Sequence, residues 1–134
     1  DSSTSRGLGD VYKRQGQIRD YELIKGDTEF LEYTRIKFGI EEIDEKMRQL
    51  ASRKELANTD YAFLLDRLNY LHPFREGNGR SSKLFLQAFA ANHGQVIDYP
   101  RSNKELIIAQ NNADINQIAK LIKIKPKAKK MNAR

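Results

Sequence analysis

The sequence contains no cysteine and no long apolar run among its 134 residues. Without cysteine, neither a disulfide framework nor a thiolate metal site is possible. No segment approaches the roughly 18 consecutive apolar residues that a membrane-spanning helix needs, and the N-terminal residues lack the apolar core of a signal peptide. The length allows one domain with a core of modest size. These absences predict a soluble, cytoplasmic protein that does not associate with a membrane.

The net charge of +6 is confined to one end of the chain. The final segment, KIKPKAKKMNAR, carries six basic residues and no acidic one, and the remaining 18 Lys and Arg residues balance the 18 Asp and Glu residues. A local run of like charge is most often a solvated tail. We therefore expect residues 123–134 to form a basic tail, and we do not expect nucleic acid as a partner.

Residues 19–36 predict a small β-hairpin. Apolar and polar residues alternate on either side of Gly26-Asp27, a pair that favours a tight turn. The pattern comprises Tyr21, Leu23 and Lys25 before the turn, and Phe30, Leu31 and Tyr33 after it. This segment is the one predicted exception to a mostly α fold.

The rest of the chain has helical periodicity. One helix is predicted from Ile40, Ile43, Met47 and Leu50. A second, with Asn58 or Thr59 as N-cap, carries Tyr61, Leu64, Leu65, Leu68 and Leu71. A third begins near Gly79 or Arg80, ends before Gly94, and carries Leu84, Phe85, Ala88, Phe89 and Ala91. A short helix over 103–110 and a last one capped by Asp114 complete the prediction.

The loop between the second and third predicted helices is polar, and its sequence from His72 to Arg80 is HPFREGNGR. Glycines before a helix N-terminus allow backbone N–H groups to converge on an anion. Arg80 can donate two hydrogen bonds to phosphate oxygens, and Glu76 beside phosphates suits a bridging Mg²⁺. His72 is placed to accept a proton from an attacking hydroxyl. Together these groups predict phosphoryl or nucleotidyl transfer.

The nine residues resemble the signature of the Fic family, His-Pro-Phe-x-Asp/Glu-Gly-Asn-Gly-Arg, at every specified position. The resemblance extends over residues 10–99, since DVY and GQIRD resemble the family's upstream segment and IKGDTEF resembles its flap hairpin. The resemblance implies a mostly α, Fic-like helical domain with a small β-hairpin flap next to the active-site loop. It also implies transfer of AMP from ATP to a Ser, Thr or Tyr hydroxyl of a target protein.

The family resemblance also implies a role for each motif residue. His72 would be the general base, Glu76 the Mg²⁺ ligand, and Arg80 the residue that stabilises the leaving pyrophosphate. The phosphates would be bound by Gly77, Asn78, Gly79, Arg80 and Lys83, and a target would dock on the flap at Leu23, Ile24, Lys25, Gly26 and Phe30.

Lys83 departs from the longer family signature, which has a second arginine at that position. Lysine cannot grip a phosphate with two hydrogen bonds, so binding of ATP could be weaker. This leaves three alternatives to AMP transfer: a degenerate, non-catalytic interaction module, another Fic-type phosphodiester transfer, and removal of AMP from a target. The glycines Gly77 and Gly79 argue against the phosphorylating branch of the family, which has bulkier residues there.

Inhibition and domain boundaries complete the expectations. Many Fic proteins carry an inhibitory Ser/Thr-x-x-x-Glu-Gly/Asn helix. Here just Thr28 has a glutamate four residues later, Glu32, and Tyr33 follows it. Two explanations are therefore expected: a separate antitoxin-like protein supplies the inhibitory glutamate as a partner, or the inhibitory segment belongs to sequence missing from the N-terminus. We expect residues 1–15, which resemble translated adaptor sequence, to be disordered or non-native, residues 16–122 to form an N-terminally truncated Fic domain, and the tail to follow.

Overall fold

The computed structural model describes Leu8 and residues 18–128 of the chain. In this part the fold is mostly helical, with two small antiparallel strand pairs, which confirms the predicted class. The elements are β1 (Ile24–Lys25), β2 (Thr28–Glu29), a 3-10 turn (Tyr33–Arg35), α1 (Ile36–Ala51), α2 (Asn58–Leu71), α3 (Asn78–Asn92), β3 (Gln95–Asp98), α4 (Asn103–Asn111), α5 (Ile115–Leu121) and β4 (Lys123–Pro126).

Helix α2 is the centre of the core, and α1, α3, α4 and α5 pack around it. Tyr61, Leu64 and Leu68, on its inner face, are fully buried. The predicted N-cap was wrong, because Ala57 occupies that position and the Asp60 carboxylate accepts its N–H at 2.9 Å. The Asn58 amide instead donates to the carbonyls of Ala119 and Ile122. Asn58 therefore ties the start of α2 to the end of α5.

The buried face of helix α3 matches the predicted face only in part: Phe89 is buried and Phe85 is partly buried against the core, as predicted. Leu84 is 63% exposed, and Ala88 is also exposed. The buried residues are Asn78, Ser82, Leu86, Phe89 and Ala90. Asn78 and Ser82 are polar and lie on the inward face, so hydrophobicity alone did not reveal it. This face brings Asn78, a motif residue, into the interior beneath the loop.

The second sheet was not predicted. β4 pairs antiparallel with β3, with Ile97 opposite Ile124, and Asp98 forms an ion pair with Lys125 at 3.2 Å. Residues 123–126, which we assigned to the basic tail, are therefore a strand, whereas residues 129–134 lie outside the described part. The lysines alternate with Ile124 and remain exposed. The sequence alone predicts a solvated tail for lysines that alternate with an apolar residue, because it does not show the strand with which they pair.

Leu8 falls in the segment that we expected to be disordered or non-native. It is fully buried in the core, and its N–H donates to the Asp44 carboxylate at 2.8 Å. The other residues of 1–15 lie outside the described part. Over the described positions, none of the helices combines the length and apolar character needed to cross a bilayer.

Candidate active site

The motif loop connects the two most central helices. His72 is the C-cap of α2 and has a left-handed backbone, with φ of 41°. Gly77 is the N-cap of α3 and is also left-handed, with φ of 79°. Glycine adopts this conformation without strain, whereas a histidine does so rarely. A strained backbone at His72 is consistent with a residue whose position is determined by function.

Asn78 holds the loop in shape. Its side-chain oxygen accepts the N–H of Phe74 at 2.8 Å, and its side-chain nitrogen donates to the Phe74 carbonyl at 2.7 Å. Both residues are buried, so these bonds replace contacts with water. The Phe74 ring belongs to the core cluster. Both polar atoms of the Asn78 side chain are thus bonded within the loop. The backbone N–H of Asn78 is the group that remains available to an anion.

His72 is 6% exposed and stacks on Phe30, with ring centroids 3.7 Å apart and planes at 16°. Its Nδ1 lies 3.3 Å from the Asn69 carbonyl, which fits an Nδ1–H donor. That tautomer leaves a lone pair on Nε2, which is buried and has no hydrogen-bond partner among the described residues. Burial, followed by the charge of Lys25, lowers the pKa of His72 to about 4. The imidazole is therefore neutral, and can accept a proton, at physiological pH.

The lowered pKa of His72 predicts a pH dependence of stability. Between its folded value of about 4 and its ordinary value of 6.5, the unfolded chain binds a proton that the folded chain does not. Stability should therefore rise with pH across this window and be lost as pH falls through it. The free energy of unfolding, measured with urea at several pH values, should rise less steeply with pH for His72→Asn than for the original chain. Equal slopes would contradict this prediction.

The N-terminus of α3 presents an open anion site. The first intrahelical bond runs from Ser81 N–H to the Gly77 carbonyl at 2.9 Å, so earlier N–H groups have no partner within the helix. A Cβ built on Gly77 or Gly79 would meet nothing within 4 Å, which means that space is open above the helix end. Arg80 and Glu76 are both exposed at its rim. The geometry can accommodate a phosphate chain.

Glu76 is the residue in the loop that could ligate a cation. No group of three or more His, Asp or Glu side chains suited to a metal occurs among Leu8 and residues 18–128. Mg²⁺ is commonly held by one or two carboxylates together with substrate phosphates. A single exposed carboxylate beside an open phosphate site therefore fits Mg²⁺ that arrives with a nucleotide.

Lys83 lies one turn beyond Arg80 on α3, and its contacts connect α3 to the start of α4. Its ammonium donates to Asn103 Oδ1 at 2.5 Å and lies 5.3 Å from the centre of the Tyr99 ring. Burial lowers the pKa of Lys83. To reach a phosphate, the ammonium has to share or leave Asn103.

If the chain transfers AMP from ATP, as the family resemblance implies, Lys83→Arg should raise the rate by about threefold to tenfold, because a guanidinium can bond Asn103 and a phosphate oxygen at once. The apparent ATP affinity and the maximal rate should be measured for Lys83→Arg. The exposed neighbour Lys104→Arg is the matched control and should change neither value. An unchanged or lower rate for Lys83→Arg would mean that the site is adapted to lysine.

The hairpin lies next to the motif loop, although its strands are only two residues long. Ile24 pairs with Glu29 and Lys25 with Thr28, around the predicted turn at Gly26, whose φ is 58°. The predicted docking residues differ in exposure. Ile24, Lys25 and Gly26 are exposed, Leu23 is partly buried, and Phe30 is buried against His72.

Arg19 is the arginine of GQIRD, the segment that resembles the family's upstream pattern, but the sequence analysis assigned it no role. It is 4% exposed, and its Nε–H donates to the His72 carbonyl at 2.7 Å. Its backbone N–H donates to the Pro73 carbonyl at 2.7 Å. A lone arginine in a hairpin segment gives no local signal of burial, because it is the tertiary fold that brings the carbonyl groups to it.

A cavity of about 720 Å³ lies between α1 and α2, lined by residues such as Phe38, Phe63 and Tyr70. None of the residues that line it belongs to the motif. The candidate active site is therefore the open surface above the N-terminus of α3, between the flap and the loop.

The family assignment rests on comparisons with known proteins. The Fic/DOC family model matches residues 4–90, which include most of the N-terminal segment that we had set aside. The chain belongs to the Fic/DOC family.

Two relatives and one solved structure illustrate the similarity. The chain is 31% identical to "Protein adenylyltransferase VbhT" of Bartonella schoenbuchensis over 73% of its own length and 21% of the relative. It is 28% identical to "Probable protein adenylyltransferase Fic" of Escherichia coli K12 over 72% of its length and 50% of the relative. The crystal structure of BepC from Bartonella tribocorum with bound AMPPNP superposes with a TM-score of 0.66, at 18% identity, over 82% of this chain and 59% of that one.

The coverage limits what these matches establish. The chain spans half or less of the length of the two relatives. The structural match, at its low identity, establishes the fold alone. The activity of this chain is therefore a matter for proposal.

Proposed function

We propose that this domain transfers AMP from ATP to a hydroxyl side chain of a target protein. The observation that carries the proposal is the state of His72. A neutral imidazole, with Nδ1 directed at the Asn69 carbonyl and an unpartnered Nε2, lies at one end of a loop whose other end is an open helix N-terminus. The relatives named as protein adenylyltransferases support the same reaction.

In this proposal His72 is the general base. Nε2 takes the proton of a Ser, Thr or Tyr hydroxyl as the hydroxyl oxygen bonds to the α-phosphorus of ATP, and the bond from that phosphorus to the pyrophosphate oxygen breaks. The Asn69 carbonyl, which accepts the Nδ1–H bond, stabilises the imidazolium that forms. A general base of this kind contributes about 10²- to 10⁴-fold to the rate.

The phosphates bind at the N-terminus of α3. The backbone N–H groups of Gly77, Asn78 and Gly79 bind the phosphate oxygens, and the Arg80 guanidinium stabilises the charge on the leaving pyrophosphate. Glu76 would hold Mg²⁺, which when bound neutralises charge on the phosphates. Lys83 contributes a single point charge to the same end of the nucleotide.

We further propose that the target docks on the flap by adding a strand. The N–H of Phe30 donates to the Leu23 carbonyl at 3.3 Å, and Ile24 is the next residue along that strand, paired with Glu29. Because bonded and non-bonded pairs alternate in an antiparallel ladder, the Ile24 N–H points to the open edge. Exposed edge groups of this kind accept a further strand.

Ile24→Pro should therefore slow modification of the target by about fivefold or more, the loss expected for one hydrogen bond of about 1 kcal/mol. Two controls separate the causes. Ile24→Ala keeps the N–H and loses the side chain, and Glu29→Pro removes the outward N–H of the opposite edge. Both controls should modify the target faster than Ile24→Pro. Equal rates for Ile24→Pro and the original chain would contradict docking at this edge.

The reaction class is tested with labelled ATP and a cell lysate. Label from the α-phosphate that appears in protein, without label from the γ-phosphate, supports AMP transfer. Label from γ alone would indicate a kinase, loss of AMP from a pre-labelled target would indicate removal of AMP, and no labelling would indicate an interaction module. His72→Asn, tested in parallel, should give no α-label.

Regulation by a separate protein belongs to the same proposal. The one Ser/Thr-x-x-x-Glu match in the sequence, Thr28 with Glu32, lies in β2 and the segment after it rather than in a helix. An antitoxin-like partner would supply the inhibitory glutamate from its own helix. Purified chain should therefore label itself with α-labelled ATP, and no glutamate substitution away from Glu76 should raise that labelling.

A further inference from the structure

Within the part of the chain that the structure describes, Arg19 is a buried cation without a close carboxylate. Its side chain is fully enclosed, whereas the Glu22 side chain, whose carboxylate oxygen lies 4.0 Å from Nη1 of Arg19, is 55% exposed. Enclosing a charge is costly unless its hydrogen bonds are made, and burial lowers the pKa of Arg19. A pairing with Glu22 does not account for this position.

The donors of Arg19 are satisfied by backbone carbonyls from three separate segments. The Nε–H donates to the His72 carbonyl at 2.7 Å, Nη1 donates to the Tyr21 carbonyl at 2.9 Å, and Nη2 donates to the carbonyls of Leu71, at 3.3 Å, and Leu31. Tyr21 and Leu31 stand before and after the hairpin, and the other two acceptors are the last residue and the C-cap of α2. One guanidinium thus bonds both bases of the flap and the backbone of His72.

The α2 end of this arrangement suits a cation. The last carbonyls of a helix lack intrahelical partners and carry partial negative charge. Arg19 neutralises them where the backbone of His72 turns left-handed. The Arg19 N–H also donates to the Pro73 carbonyl, and the Leu31 N–H donates to the Tyr70 carbonyl at 2.9 Å. Residues on both sides of His72 are therefore joined to the flap.

We propose that Arg19 is a positioning residue that joins the backbone of His72 to both bases of the flap, so that a target held by the flap meets the imidazole at a constant distance. This inference rests on the proposed function. A flap tip that moves to admit a target can then leave the bases and His72 in place. Misplacing reacting groups by about 1 Å can cost about a hundredfold in rate.

The test uses Arg19→Lys, which keeps the charge but cannot reach carbonyls in three segments. We expect kcat for AMP transfer to fall by about tenfold to a hundredfold, with the KM for ATP nearly unchanged, because the phosphate site lies elsewhere. The exposed Arg48→Lys is the matched control. Glu22→Gln keeps an acceptor for the Tyr33 N–H but removes the charge of Glu22, so it tests the contribution of the weak ion pair between Arg19 and Glu22. Both controls should retain the original kcat.

A second readout follows His72 without needing activity. The imidazole signals of His72 in nuclear magnetic resonance should titrate near 4 in the original chain. The charged groups that act on it are Lys25 and Arg19, and the Asn69 carbonyl acts in the opposite direction. Arg19→Lys preserves the charge at position 19. A midpoint of the His72 titration that moves toward 6.5 in this variant would therefore mean that the flap no longer covers the imidazole ring.

Hydrogen exchange on the original chain keeps the proposal testable if Arg19→Lys does not fold. The amides of Arg19 and Leu31 should be protected to the same degree as that of His72, since the three belong to one unit. Faster exchange at Arg19 and Leu31 would overturn the proposal, as would a folded Arg19→Lys with unchanged kcat and His72 midpoint. If the original chain transfers no AMP but the His72 midpoint still shifts in Arg19→Lys, the proposed function is wrong and the positioning role of Arg19 is supported.

Discussion

Replacing His72 with asparagine should reduce AMP transfer by about 10²- to 10⁴-fold, the contribution of a general base. Asparagine is the informative replacement because it tolerates the left-handed backbone found at this position. The variant should therefore fold, and the loss should appear in kcat. The physical reason is that the Asn side chain offers no lone pair basic enough to take a hydroxyl proton.

The chain contains a second histidine that serves as the matched control. His93 ends α3, where its Nδ1 lies 2.9 Å from the Arg53 carbonyl and its ring meets Phe89 edge-on. His93→Asn should transfer AMP at the original rate per folded molecule. A His72→Asn variant that retains a tenth of the activity would contradict the general-base role.

Asn78→Asp should both destabilise the domain and suppress transfer. The introduced carboxylate can still accept the Phe74 N–H, but it cannot donate to the Phe74 carbonyl, 2.7 Å from the present amide nitrogen. Two acceptors would then face each other in a buried place. Breaking one such pair costs about 1–3 kcal/mol, which corresponds to roughly 3–15 °C in Tm for a domain of this size. The loop would lose its shape at the same time.

Thermal unfolding and transfer assays check this prediction together. Asn116→Asp, in the exposed first turn of α5, makes the same chemical change without a buried partner and should leave both quantities near their original values. The introduced carboxyl at position 78 can donate when protonated, so its destabilisation relative to the original chain should shrink as pH falls. A variant with the original Tm and rate would show that the paired bonds to Phe74 contribute little.

The motif and the helices that flank it could be predicted from the sequence. HPFREGNGR specifies a helix end, a loop and a new helix start, and its glycines and histidine indicate the chemistry. Helices α1, α2 and α5 were predictable because their apolar residues recur with helical spacing. Asp114 caps α5 as expected, because its side chain accepts the Gln117 N–H at 3.1 Å. These features are local, so neighbouring residues along the chain suffice to predict them.

Contacts between distant segments were decided by the tertiary structure alone. The inward face of α3 depends on the bonds of Asn78 to Phe74. Strand β4 forms because it pairs with β3, which lies more than 20 residues earlier. The burial of Arg19 depends on the carbonyls of Leu31 and His72, which are 12 and 53 residues away. The sequence by itself determined which groups could perform the chemistry. The fold decided that His72 is neutral, stacked on Phe30 and joined to the flap, because pKa, burial and orientation arise from groups that meet only in three dimensions.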